Sequence, residues 1–267
     1  MARKRQPRST RGSAKTKEFS SILVSGVTSE IGLPLVRTLW DRGFGVYGFY
    51  GRSRKRAKQL EQEAAKTDAR LRLERIDFLD SSTARQKIRK AIRSAPRDWQ
   101  NIVSFVGLAG YPARGVWQQP FDKNQPDLFE DVYRVDTLSH VWFLQAVAPT
   151  LKNNKGSAVL MSSAAALLGD ELGIPFALAK AANVALVKSA ARLLAPEVRV
   201  NGVAPGALRT SWLNELTPSQ RRKSRQATLL QRLGEPAEVA ETVAELAVGE
   251  SRFQTGQILV LDGGVAL

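Results

Sequence analysis

The sequence predicts an α/β protein in which short apolar strands alternate with helices along most of the chain. Three observations carry that prediction. Residues 20–25 are largely apolar and run into Gly26-Val-Thr-Ser-Glu30-Ile-Gly32, a glycine turn that opens a helix reaching Trp40. Residues 157–161 form a second apolar run, ending in Ser162 and Ser163. An Ala- and Leu-rich helical stretch, 176–195, follows, and then a third apolar run, Val198–Ala204, closed by Pro205-Gly206. Short apolar runs bounded by glycine and proline are the signature of strands buried on both faces.

The totals exclude several classes. The chain has no cysteine and one histidine, His140, so disulfides, thiol catalysis and a zinc centre drop out, and no metal site is expected. No run of about eighteen apolar residues is present, so no membrane span is expected. The N-terminus lacks the apolar core of a secretory signal. The expectation is a soluble cytoplasmic protein.

The formal net charge is +15. Arg3, Lys4, Arg5, Arg8, Arg11, Lys15 and Lys17 stand against Glu18, which predicts a basic, disordered tail over 1–19 and one domain over 20–267. Further basic clusters lie at Arg52–Lys58 and Arg221–Arg225. Such runs attract nucleotide phosphates, coenzyme A, an acidic carrier protein or nucleic acid, or simply solvate the surface. No reader motif or aromatic platform accompanies them, so nucleic acid is not the expected partner.

Taken in order, the elements carry chemistry. The turn from Gly26 to Gly32 is an anion cradle, because free N–H groups at a helix start point toward a phosphate; a plain tight βα turn is the alternative. Phe44–Tyr50 is the second strand, and Gly51-Arg52-Ser53-Arg54 opens the next helix. An acidic residue near this strand end selects NAD through the ribose hydroxyl. None is present, and Arg52 and Arg54 suit a 2′-phosphate, which favours NADP(H). Residues 70–76 form the third strand, ending in Asp77-Phe78, and 81–94 an amphipathic basic helix. Residues 101–107 form the fourth strand, ending in Gly107. The loop 108–127, with Tyr111, Trp117 and three prolines, offers a pocket wall. A helix over 127–151 holds Asp136 and His140 one turn apart. That pair suits acid–base work, although a packed histidine is the commoner outcome. Residues 211–230 read as a polar, basic helical lid. Pro236 suits the first turn of a helix, and Thr255–Gly264 is a final strand and turn.

These segments together resemble the short-chain dehydrogenase/reductase family over about residues 20–267, nearest to its 3-oxoacyl-[acyl-carrier-protein] reductases. The family's active site is a strand-end Ser followed thirteen residues later by Tyr-x-x-x-Lys. Here Ser163 is followed by Phe176 and Lys180, so the tyrosine hydroxyl is missing. The resemblance implies a Rossmann-type, doubly wound three-layer fold with a seven-stranded parallel sheet. It implies cofactor contacts from Ser25, Gly26, Ser29, Glu30, Ile31 and Gly32, with Glu30 replacing the middle glycine of Thr-Gly-x-x-x-Gly-x-Gly. An inward Glu30 carboxylate would crowd a diphosphate. It further implies contacts from Arg52, Ser53, Arg54, Asp77, Phe78, Gly107, Lys180, Pro205, Gly206, Leu208 and Thr210. Ser104 and Phe105 replace two asparagines of the fourth strand, which predicts lost polar support there. Asp136 stands where the family's Asn anchors a water, and is positioned to pair with Lys180.

In the family the tyrosine protonates the carbonyl oxygen, the lysine lowers its pKa and the serine orients the carbonyl. Three readings follow. One is a ketoreductase of altered mechanism on β-ketoacyl thioesters, carrier-protein or coenzyme A linked, with a substitute donor such as Tyr111, Ser162 or a water on Lys180. Another is a non-redox or inactive homologue: a partner subunit of an active reductase, or a dehydratase- or cyclase-type enzyme. The last is a deliberate Tyr→Phe exchange, against which Glu30, Ser104-Phe105 and Asp136 stand as independent departures. The resemblance also implies a homodimer or homotetramer through helices matching 127–151 and 176–195.

Overall fold

The computed structural model describes residues 19–111, 126–171, 173–250 and 252–267. The expected tail, apart from its last residue, and Trp117 lie outside them. Seven strands form one parallel sheet in the order β3-β2-β1-β4-β5-β6-β7. They are β1 (Ser21–Ser25), β2 (Gly45–Tyr50), β3 (Leu71–Arg75), β4 (Ile102–Gly107), β5 (Ser157–Met161), β6 (Arg199–Pro205) and β7 (Ile258–Leu261). The order reverses between β1 and β4, which opens a crevice at the carboxyl ends of those strands.

Alternation along each strand feeds two cores. Leu23, Phe49, Phe105, Leu160 and Val200 face one side, where α3 (Ser81–Arg93), α5 (Ser139–Asn153) and α7 (Ile174–Leu194) pack. Ile22, Val24, Val46, Val106, Val159 and Val203 face the other, against α1 (Gly32–Asp41), α2 (Arg54–Thr67) and α9 (Pro236–Val248). Pro236 sits in the first turn of α9, inside a capping box made by Glu235 and Glu238. By length and hydropathy alone α7 resembles a membrane span, but it is a core helix: Ala179, Asn183 and Val187 are buried.

Two sequence expectations need correction, and one element is additional. The helix over 127–151 is broken: α4 (Pro126–Tyr133) passes through a π-turn, Arg134–Leu138, before α5 begins. Such wide turns concentrate at functional sites. Strand β4 keeps polar support, because Ser104 Oγ lies 2.8 Å from Ser157 Oγ, which donates to the Ala247 carbonyl at 2.7 Å. Phe105 stacks on Phe143 with centroids 5.3 Å apart and gives the strand an aromatic anchor instead. Between β5 and α7 lies a short helix, α6 (Ala165–Leu168), that patterning did not signal.

The lid segment is helical, with a 3-10 turn, Ser211–Glu215, and α8 (Pro218–Gln226), capped by Thr217 and Gln220. Gly107 ends β4 under the His140 ring. A Cβ there would meet His140 Cδ2 at 2.7 Å and Leu160 Cδ2 at 3.1 Å. Gly107→Ala is therefore expected to cost about 1–3 kcal/mol by overpacking, read as a lower urea midpoint at unchanged slope.

Candidate active site

The β1–α1 turn is pressed against the end of β4. Gly26 has φ of +74°, and a Cβ on it would lie 2.7 Å from the Leu108 carbonyl oxygen. Ser25 Oγ accepts from Ala109 N–H at 3.3 Å and so fixes the crevice floor. A Cβ on Gly32 would lie 2.4 Å from the Gly26 oxygen, so the turn closes on itself only with glycine there. Gly32 N–H donates to Ser29 Oγ at 2.9 Å. The N–H groups of Glu30 and Ile31 meet no acceptor among the described residues. That leaves donors for an anion at the start of α1, as helix N-termini provide. Glu30 reaches from this turn to the lid segment. Its two carboxylate oxygens each accept from Ser211 N–H at 3.0 Å, and one accepts from Ser211 Oγ at 2.9 Å.

Around the rest of the crevice the predicted residues divide. Ser53 caps α2, accepting from Arg56 N–H, and is structural. Arg54 is exposed, and Arg52 lies over the Tyr111 ring at 5.8 Å from its centroid. Arg56 reaches furthest in, donating to the Thr28 carbonyl at 3.0 Å. The sequence held it in the basic cluster, one turn into the helix that Ser53 caps. Asp77 is exposed at the end of β3, whereas the Phe78 ring is turned into the core against Phe143. Pro205 and Gly206 close β6, where a Cβ on Gly206 would meet Asp262 Cα at 2.7 Å. Leu208 is buried and bridges to Gly234, and Thr210 precedes the 3-10 turn of the lid.

Ser163, Phe176, Gly206 and Tyr111 share one cavity of about 700 Å³. Val132, Leu168 and Ala207 supply apolar wall, and Trp212, Leu216 and Lys223 of the lid segment cover one side. Ser163 Oγ accepts from Ala165 N–H at 3.2 Å and lies 3.5 Å from the Pro205 oxygen. Ser162, named as a substitute donor, is not available: its buried hydroxyl donates to the Lys180 carbonyl at 2.9 Å.

Lys180 does not open into the cavity with Ser163. It is buried behind Phe176, with its ammonium 5.3 Å from that ring's centroid and 3.1 Å from Asp136 Oδ2. Asp136 is fully buried, and its other oxygen accepts from Tyr111 N–H. Burial holds its pKa above the ordinary carboxylate value; the Lys180 charge and the Tyr111 N–H oppose this without reversing it. Asn183, on the same face of α7 as Lys180, donates to the Asp136 and Met161 carbonyls at 2.8 and 3.0 Å, tying the π-turn to β5. No motif marks this residue; its spacing from Lys180 is the available signal. His140 is also fully buried, with neither ring nitrogen in a well-formed hydrogen bond. Burial first, and the Lys180 charge second, lower its pKa to about 3, against the pull of Asn183. The ring is neutral at ordinary pH, which fits a packed histidine better than an acid–base one.

The family model described as enoyl-(acyl carrier protein) reductase matches residues 26–266. A 1,2-dihydroxy-1,2-dihydronaphthalene dehydrogenase of a Ralstonia species is 27% identical over 266 residues, covering 92% of this chain and 96% of that one. A Streptomyces violaceoruber protein named as ketoacyl reductase 2 of the granaticin polyketide synthase is 29% identical, covering 92% and 95%. The crystal structure of a 3-oxoacyl-[acyl-carrier protein] reductase from Brucella melitensis superposes with a TM-score of 0.81 at 24% identity, covering 94% of this chain and 92% of that one. That last likeness speaks to the fold.

Proposed function

Because the chain belongs to the short-chain dehydrogenase/reductase family, whose members use a nicotinamide cofactor, we propose that it is an NADP(H)-dependent reductase of β-ketoacyl thioesters with a remodelled proton relay. The observation that carries this is the largely apolar cavity that Ser163 lines together with Tyr111, Val132, Phe176 and Gly206. Such a cavity suits an acyl chain whose keto oxygen meets the serine.

The residues fit the cofactor at the turn. Gly26 and the free N–H groups of Glu30 and Ile31 make a cradle of diphosphate character. Asp77 would flank the adenine, and Arg52, Arg54 or Arg56 would take the 2′-phosphate. Gly206, Leu208 and Thr210 would border the nicotinamide end. A bound nicotinamide supplies or accepts hydride. This chain's residues do the rest: Ser163 orients the carbonyl, Phe176 and Val132 exclude water, and the Tyr111 hydroxyl or a water delivers the proton. Lys223 of α8, which lines the cavity, suits the phosphates of coenzyme A or of an acidic carrier protein. A homodimer or homotetramer, or a complex with an active homologue, belongs to the same reading.

Titration with NADPH and NADH, followed by fluorescence, tests the cofactor half. NADPH is expected to bind about tenfold tighter or more, with the preference lost when Arg52, Arg54 and Arg56 are replaced by Ala. Equal affinity for the two dinucleotides would remove the NADP(H) assignment. Turnover with acetoacetyl thioester tests the substrate half.

A second reading rests on a specific pair of observations. Phe176 removes the acid, and Asp136 neutralises the lysine that would have tuned it. Both favour a non-redox or inactive homologue. NADPH bound without any thioester reduction, together with copurification of an active reductase, would move the assignment there.

A further inference from the structure

Glu30 connects two segments far apart in the chain. One is the β1–α1 turn with its unpartnered N–H groups; the other is the lid, beginning at Ser211. The contact spans 181 residues of sequence and is made of three hydrogen bonds from one residue to one carboxylate. Both carboxylate oxygens are engaged, as an anion bound across a gap would be. The crevice they cross is the switch point between β1 and β4, where ligands of open parallel sheets bind. Downstream, the lid is internally braced: Arg221 Nε–H donates to the Leu213 and Leu216 carbonyls at 2.7 and 3.1 Å. A hold on Ser211 is thereby transmitted into α8. The same lid lends Trp212, Leu216 and Lys223 to the cavity wall.

We infer that Glu30 is an internal latch, a carboxylate that holds the lid onto the phosphate turn when no external anion is there and that a diphosphate must displace. The inference deepens the cofactor reading above and rests on it for the identity of the displacing group. Two negative groups on one narrow turn repel, so an incoming diphosphate and the carboxylate exclude each other. Displacement frees Ser211 N–H and Oγ, and the lid's hold on the cavity is released with them. The latch therefore sets a threshold: the substrate cavity changes shape only once the turn is filled.

The test is limited trypsin digestion of the full chain, with fragments assigned by mass. The readout is cleavage within α8, at Arg221, Arg222, Lys223 and Arg225. Without nucleotide, Glu30→Ala and the isosteric Glu30→Gln are expected to be cut there at least about threefold faster than the parent. Inorganic pyrophosphate, which probes the turn independently of any dinucleotide, should accelerate cutting of the parent and leave Glu30→Ala unchanged. NADPH should bind Glu30→Ala about tenfold tighter. Equal α8 cleavage in all three proteins overturns the latch. Faster cleavage of the variants with no response of the parent to pyrophosphate overturns the competition. If pyrophosphate acts as expected and NADPH binds no form, the latch stands and the dinucleotide assignment fails.

Discussion

The double variant Phe176→Tyr, Asp136→Asn is expected to reduce acetoacetyl thioester with NADPH about 10²- to 10⁴-fold faster than the parent, the range a positioned general acid contributes. Phe176→Tyr alone is expected to fall at least tenfold short of it. The difference comes from Lys180. A tyrosine at 176 would have the lysine ammonium over its ring, since that distance is 5.3 Å to the present phenyl centroid. A nearby cation stabilises the phenolate and makes the phenol a better acid. In the parent that cation is spent, because Asp136 sits 3.1 Å from it in a site with almost no exposure. Asn at 136 removes the countercharge and lets the ammonium act on the new hydroxyl. Initial rates of NADPH consumption for parent, single and double variants decide the matter, with melting curves to show that each is folded. Removing one partner of a buried pair typically costs about 3–5 kcal/mol, so a lower melting temperature in Asp136→Asn is part of the expected result. If the double variant is as inert as the parent, the site has been remodelled beyond its acid, and the non-redox reading takes over.

The second large effect is an acid-induced loss of stability set by His140. Its folded pKa of about 3 lies below the ordinary histidine value of 6.5. The unfolded chain therefore binds a proton near pH 6.5 that the folded chain refuses until near pH 3. Stability from this group is fully present above pH 6.5 and declines as pH falls toward 3. Each unit of that window is worth about 1.4 kcal/mol. Between pH 7 and 4.5 the parent is thus expected to lose about 3 kcal/mol more than His140→Leu. Asp136 faces the same cluster and works in the opposite sense. Its pKa is raised, so its contribution is present at low pH and lost as pH rises through the folded value. Lys180 and Asn183 are present in both proteins and cancel in the comparison. Urea midpoints at the two pH values give the result. Parallel losses would show that the folded ring already takes up a proton at pH 4.5.

What the sequence made legible follows from what periodicity and residue type can encode. The interior strands stood out as short apolar runs, whereas β3, interrupted by Arg72 and Glu74, was placed by the Asp77-Phe78 pair that follows it. Ser163, Phe176 and Gly206 were readable as neighbours because each closes or opens an element at the carboxyl ends of the strands. The π-turn was invisible, since one wide turn leaves the apolar pattern of its flanks unchanged. The roles of Ser162 and Asn183 were hidden for another reason. Both bond to backbone carbonyls on other elements, and side-chain to main-chain bonds across a fold leave no pattern in the chain. Glu30 was visible as a misfit in a glycine position, but its partner lay far along the chain in a segment read only as a lid.

The π-turn at Arg134–Leu138 also bears on how this chain tolerates changes in length. In a regular helix each inserted residue rotates everything after it by about 100°, which would swing Phe143 and Val147 off the sheet. Here the surplus is absorbed in one wide turn. Val132 keeps its place at the cavity wall while α5 keeps its apolar side inward. Residues 134–138 therefore act as a slip joint, where a residue can be lost without re-aiming either flank, whereas the same deletion one turn later would turn the buried face of α5 toward solvent. Because Asp136 stands inside that joint, the aim of its carboxylate at Lys180 depends on chain length as much as on side-chain identity.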